Sequence, residues 1–310
     1  MLVGAWFLLI AFFIVTNPAF RQSATLEIII GTQATQLVVT LAVVVALIGG
    51  EFDLSVANVL GAAASGLVYF NATRGMSVGL ALALVILMVL AFGALNALLV
   101  IRVGIPSVIV TLGTGTLLSG IWTGVAGSSP VNGVSSGFVS AFTSDVLGLP
   151  VSFYVAIGIA LLLWYVLQHT PGGRYFAIVG RNRDVARLAG LSVNQLRALS
   201  LIGCSLLAAL AGILLVGQTG ASDPTVASDY LLPAFAGAFL GSTAIRPGEF
   251  NIWGSAVAVY FLVTGITGLE LDGYSGWVEN VFYGGSLVVA VALTQIVARH
   301  RSRGRDVALF

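Results

Sequence analysis

Two carboxylates, Glu51 and Asp53, interrupt an otherwise apolar run in VVVALIGGEFDLSVANVLGAAASG, residues 43 to 66. A carboxylate near membrane depth is a candidate for function, because taking its charge out of water is expensive. The bland alternative is that both acids cap the positive end of the helix that follows. A second charged stretch, GGRYFAIVGRNRDVARLAGLSVNQLR, covers residues 172 to 197 and holds five arginines and one aspartate.

Other chemistry is scarce. All 13 Lys+Arg positions are arginine, so the chain has no lysine for a phosphate-binding loop, a Schiff base or a catalytic amine. It cannot hydrolyse ATP as a P-loop enzyme by itself. The single cysteine, Cys204, lies in an apolar run and reads as a packed side chain, without a disulfide partner or a thiolate metal cage. His169 and His300 fall at span ends, no H-E-x-x-H occurs, and no histidine neighbours a mid-span serine in sequence. Metal and protease chemistry are therefore not indicated, and the net charge of +1 gives no reason to expect a nucleic-acid partner.

The elements that position these residues are membrane helices. Of 310 residues 58% are hydrophobic and 8% charged, with a mean hydropathy of +1.04, whereas soluble domains carry about 25% charged residues. Apolar runs near the length a bilayer needs fall at 2–17, 27–49, 54–71, 78–101, 105–126, 151–168, 196–217, 229–244, 250–268 and 278–298. The expected fold is all-α: one polytopic bundle over 1–310, with about ten spans. The first run reads as a retained span rather than a signal peptide, since no basic segment precedes it. With 172–197 in the cytoplasm, strict alternation leaves only Arg21 and Arg74 outside. That positive-inside bias puts both termini, including the basic tail 299–310, in the cytoplasm of a bacterial-type inner membrane. Broken or re-entrant helices are expected at 54–71, which follows the two acids, and at 229–244, which is short and contains Pro233.

Within the basic stretch, Asn182 or Asp184 can cap a two-turn helix that runs to Ala189 and ends at Gly190. Val185, Leu188 and Ala189 share one face, with Arg183 and Arg187 on another. Such a helix is too short to stand alone. It either anchors to anionic membrane lipid or fits a groove on a cytoplasmic partner and passes that partner's motion to the spans.

GRYFAIVGRNRDVARLAGLSV resembles the cytoplasmic coupling segment of ribose-type (monosaccharide) ABC transporter permeases. EFDLSVANVLGAAAS (51–65), NALLVIRVGIPSVIVTLGTGTL (96–117) and AGAFLGSTAIRPGEFNIWGS (236–255) agree in order and spacing, so the likeness spans nearly the whole chain. It implies the membrane subunit of a binding-protein-dependent sugar importer. Such a subunit binds no cofactor of its own; ATP and Mg belong to a partner ABC ATPase. A second permease copy or paralogue and a periplasmic or lipid-anchored sugar-binding protein complete the assembly. The resemblance also implies that Arg174, Gly180, Asn182, Asp184, Ala186, Arg187, Leu188 and Gly190 form the ATPase-coupling segment. It puts the solute path near Asp53, Ser55, Asn96, Thr111, Gly113 and Thr114, although Asn96 and Thr111 equally suit interhelical hydrogen bonding. Ala57 and Asn58 stand where the family usually has glycine and serine, and Tyr230-Leu231-Leu232-Pro233 lacks the acids common after that tyrosine. An ion-coupled secondary transporter is the alternative, but the carboxylates sit at span ends rather than in a mid-membrane relay.

Overall fold

The computed structural model describes residues 2–127, 129–223, 226–274 and 276–307, with residue 226 and residues 294–307 described by backbone alone. The side chains of the expected basic tail, and residues 308–310, lie outside the described part.

Fourteen α-helices are described: α1 Leu2–Thr16, α2 Ser23–Gly31, α3 Ala34–Ile48, α4 Val56–Val68, α5 Val78–Leu98, α6 Ser107–Ala126, α7 Ser136–Thr143, α8 Val151–His169, α9 Pro171–Arg181, α10 Arg183–Leu188, α11 Val193–Thr219, α12 Leu231–Gly241, α13 Ile252–Leu271 and α14 Trp277–Val307. Long α11 runs through the middle against α3, α4 and α5, while α12 packs on α13, α14 and α3. Lipid is as apolar as leucine, so close packing rather than expulsion from water holds such helices together. Small residues permit that packing: a Cβ at Gly212 of α11 would overlap the Leu60 carbonyl oxygen of α4 and lie 3.1 Å from the Ala64 nitrogen.

Six segments are long and apolar enough to cross a membrane: Ser23–Ile48, Val78–Val103, Ser107–Ala126, Val151–His169, Val193–Thr219 and Ile252–Leu271. Three of the other four expected spans are shorter as helices, and the fourth falls within the 31-residue α14. Leu2–Thr16 is apolar but under 18 residues. Helix α4 has 13 residues and runs into a π-helical turn, Tyr69–Thr73. Helix α12 has 11 residues after a 3-10 turn at Val226–Tyr230, with Pro233 in its first turn, where a missing N–H costs nothing.

Loops are bonded to one another at both ends of the bundle. On the side expected outside, Val131 and Asn132 pair with Ser222 and Ala221 in an antiparallel ladder, Ser135 N–H donates to Asn71 Oδ1 at 3.0 Å, and Asn17 Nδ2 donates to Asp272 at 2.7 Å. On the opposite side Arg183 reaches Glu51, and Arg181 reaches Glu249.

Candidate functional site

The basic stretch is not a loop with one helix in it but two helices in succession. Thr170 caps α9 by accepting from Gly173 N–H at 3.2 Å, and Pro171 opens its first turn. Phe176 and Val179 turn inward along α9. Asn182, in extended backbone, then caps α10 by accepting from the N–H groups of Asp184 at 3.0 Å and Val185 at 3.1 Å. Of the two candidate caps the structure selects Asn182. Gly190 follows at φ +76°, a left-handed conformation that closes the helix without a Cβ penalty.

Ala186 is fully buried and packs with Val179 and Val193. The predicted apolar face points away from the bundle: Val185 and Leu188 are 54% and 90% exposed, and Ala189 is exposed. Asp184 and Arg187 form an exposed i,i+3 pair at 3.3 Å, which contributes little.

This outward helix is tied down from behind. Arg183 donates to the Gly50 carbonyl at 2.8 Å and to Glu51 at 2.9 Å, and Arg197 of α11 donates to the same Glu51 oxygen at 2.5 Å. Glu51 is 2% exposed. It caps nothing; it is the acceptor of two arginines. Gly180 sits against the end of α3, where a Cβ would overlap the Ile48 carbonyl oxygen and lie 2.9 Å from the Gly50 nitrogen.

Residues 49–55 form the break between α3 and α4, and here most of the expected solute-path residues meet. Asp53 Oδ1 accepts from Ser55 N–H at 2.9 Å and Ser55 Oγ–H at 2.5 Å. Asn96 Nδ2 of α5 donates to Ser55 Oγ at 3.4 Å, and Thr114 of α6 donates to Asn96 Oδ1 at 2.7 Å. Leu54 N–H donates to Thr111 Oγ1 at 2.9 Å and Phe52 N–H to Ser107 Oγ at 3.2 Å. Asp53, Ser55, Asn96 and Thr111 are buried, and Asp53 Oδ2 has no hydrogen-bond partner. Gly113 is not in this cluster: it lies on the exposed side of α6 with no atom within 4 Å of a Cβ built there.

Arg174 lies apart from α10, on the wall of a cleft of about 540 Å³ between α9, the end of α8 and the 246–252 turn. Arg181 and Arg246 share that wall, with Arg181 paired to Glu249 at 2.6 Å. Sequence reasoning missed this cleft and the partners of Glu51. It also missed the small polar set Asn58, Ser65, Ser119 and Ser222, which lines shallow clefts toward the outer side, with Ser65 and Ser222 hydroxyls 3.0 Å apart. No group of three or more metal-binding side chains occurs among the described residues.

The family model described as branched-chain amino acid transport system / permease component matches residues 25–291. The autoinducer 2 import system permease protein LsrD of Yersinia enterocolitica is 29% identical over 272 residues, 85% of this chain and 81% of its own. The protein of the same name from Escherichia coli K12 is 30% identical over 277 residues, covering 87% of this chain and 83% of its own, as is that of Shigella flexneri. No solved structure matches the chain.

Proposed function

The chain belongs to the family of branched-chain amino acid transport system / permease components, multi-pass inner-membrane proteins of ABC importers, and from that premise we propose how it works. It is a transport subunit that carries a small hydroxylated solute inward and borrows ATP hydrolysis from a separate ABC ATPase. Ten apolar segments cross or enter the bilayer, three of them as short helices. The cargo is a monosaccharide, ribose-like or another small sugar, with the autoinducer 2 named for the relatives as a second candidate. A second permease subunit completes the pathway, and a periplasmic or lipid-anchored binding protein delivers the cargo. ATP and Mg act on the ATPase. Family membership disfavours the ion-coupled alternative.

The observation that supports coupling best is the orientation of α10. A two-turn helix cannot hold itself together, yet this one keeps Ala186 inside and turns Val185 and Leu188 outward on the arginine-rich side. An exposed leucine at the tip of a buttressed helix suits insertion into an apolar groove of a partner, with Asp184 and Arg187 at the rim. Arg174, Gly180, Asn182 and Gly190 set the path and angle of approach.

Purification in mild detergent tests this reading. The intact chain should bring down a P-loop ATPase, and deletion of residues 182–190 should abolish the association. Leu188→Asp should leave the chain folded while lowering ATP-driven uptake at least about tenfold, since an unpaired charge in an apolar groove costs more than ~1.4 kcal/mol. Absence of any co-purifying ATPase from the intact chain, under conditions that preserve known ABC complexes, would overturn it.

A further inference from the structure

We propose that Glu51, with Arg183 and Arg197, is the joint through which displacement of α10 reaches the α3–α4 break, a role that rests on the coupling function proposed for α10. Glu51 is a positioning residue: it touches neither nucleotide nor cargo.

Its surroundings carry the inference. The Glu51 side chain is 1% exposed and one of its oxygens accepts from two arginines on different elements. Arg183 is the first residue of α10, and Arg197 lies one turn into α11, the central helix of the bundle. Arg183 also donates to the carbonyl of Gly50, itself at φ +76°. The first turn of α10 is thereby bonded to both the backbone and the side chain of the break. Behind it Gly180 lies backbone to backbone against Ile48 and Gly50, so no flexible side chain can absorb movement between the two segments.

Beyond Glu51 the connection is continuous. Phe52 N–H is held by Ser107 and Leu54 N–H by Thr111, both on α6. Ser55 is held by Asp53 and by Asn96 of α5, and Asn96 by Thr114 of α6. A shift at α10 therefore has a bonded path through the six consecutive residues Gly50 to Ser55 into α4, α5 and α6. A buried carboxylate shared by two cations resists separation from either, because parting leaves a charge unpaired in low dielectric. Ionic burial of this kind adds little to stability compared with apolar packing, but it fixes geometry.

Arg183→Gln tests the joint with least risk to folding, since Glu51 keeps Arg197. Glu51→Gln removes the shared charge. Spin labels at Thr123→Cys and Ser140→Cys, both exposed near the outer ends of α6 and α7, report opening on the far side, and the native Cys204 is fully buried. The complex with its co-purified ATPase is measured without nucleotide and after trapping with ATP, Mg and vanadate. The unsubstituted pair should show a nucleotide-dependent change in label distance. Arg183→Gln and Glu51→Gln should lose at least about half of that change while retaining the same amount of bound ATPase. A full change in Arg183→Gln with the ATPase bound overturns the joint and leaves the docking role of α10 standing. Loss of the ATPase from Arg183→Gln also overturns it, by showing that Arg183 serves docking instead. Should Glu51→Gln fail to fold, Arg183→Gln alone decides.

Discussion

Gly180→Ala adds one methyl group where two backbones meet, and its effect can be worked from the contacts. The added carbon would overlap the Ile48 carbonyl oxygen and stand 2.9 Å from both the Gly50 nitrogen and the Ile48 carbonyl carbon. Such atoms prefer roughly 3.5–4.0 Å, and the overlap with the Ile48 oxygen is the tightest contact, so the end of α9 must withdraw from the end of α3 by more than about 1 Å. Overpacking of this order costs ~1–3 kcal/mol. Withdrawal also stretches the bond from Arg183, three residues on, to Gly50 O, now 2.8 Å, beyond the ~3.2 Å reach of a good hydrogen bond. A charged hydrogen bond is worth about 1.5–3 kcal/mol, so the damage extends past the methyl itself. The variant should melt lower in detergent by about 1–3 kcal/mol of stability and lose ATP-driven uptake about tenfold or more. Gly172→Ala, eight residues earlier on the same helix, is the control: its Cβ meets only the Thr170 hydroxyl, at 3.8 Å, and stability should change by no more than ~1 kcal/mol. Equal melting and equal uptake for the two variants would refute the close approach of α9 to α3.

Two further substitutions probe the break and the outer face of α6. Thr111→Val strips the acceptor from Leu54 N–H in a fully buried position and should cost about 1–3 kcal/mol in detergent melting, whereas Thr111→Ser should be near neutral; indistinguishable variants would mean that the Leu54 bond is not formed. Gly113→Ala meets no atom within 4 Å in the middle of α6, so the isolated chain should hold its stability or gain about 0.5–1 kcal/mol, and a clear loss would contradict an open face there.

What the sequence makes legible depends on distance along the chain. Helix α10 follows from NRDVARLAG because cap, two turns and closing glycine are neighbours, and its apolar triplet is visible at helical spacing. The outward direction of that triplet is not legible locally; it follows from Ala186 meeting Val179 and Val193. Helix α9 was hidden by its paired glycines, although Phe176 and Val179 already carry a three-residue spacing. The partners of Glu51 lie 132 and 146 residues away and no local pattern points to them. The span count shows the opposite limit. Hydropathy marks ten apolar segments, but it cannot tell a full crossing from an 11-residue helix such as α12, whose ends are fixed by a preceding 3-10 turn and by packing on α13.

Residues 49–55 answer a difficulty of every buried break between two helices. Backbone N–H groups without a helix to satisfy them cost several kcal/mol each in an apolar surround. Phe52, Leu54 and Ser55 find Ser107, Thr111 and Asp53, and Asn96 with Thr114 holds Ser55 in place. Apart from Asp53 Oδ2, the polar atoms that the family resemblance assigns to a solute are thus already bonded within the chain. A hydroxylated solute would have to exchange one hydrogen bond for another of similar strength, which yields little net affinity. On the proposed transport reading, cargo is held weakly here, as suits a site that must also release it. Discrimination among solutes falls, on the same proposed reading, to contacts made before the membrane, while the polar residues of the break keep it bonded to α5, α6 and α10.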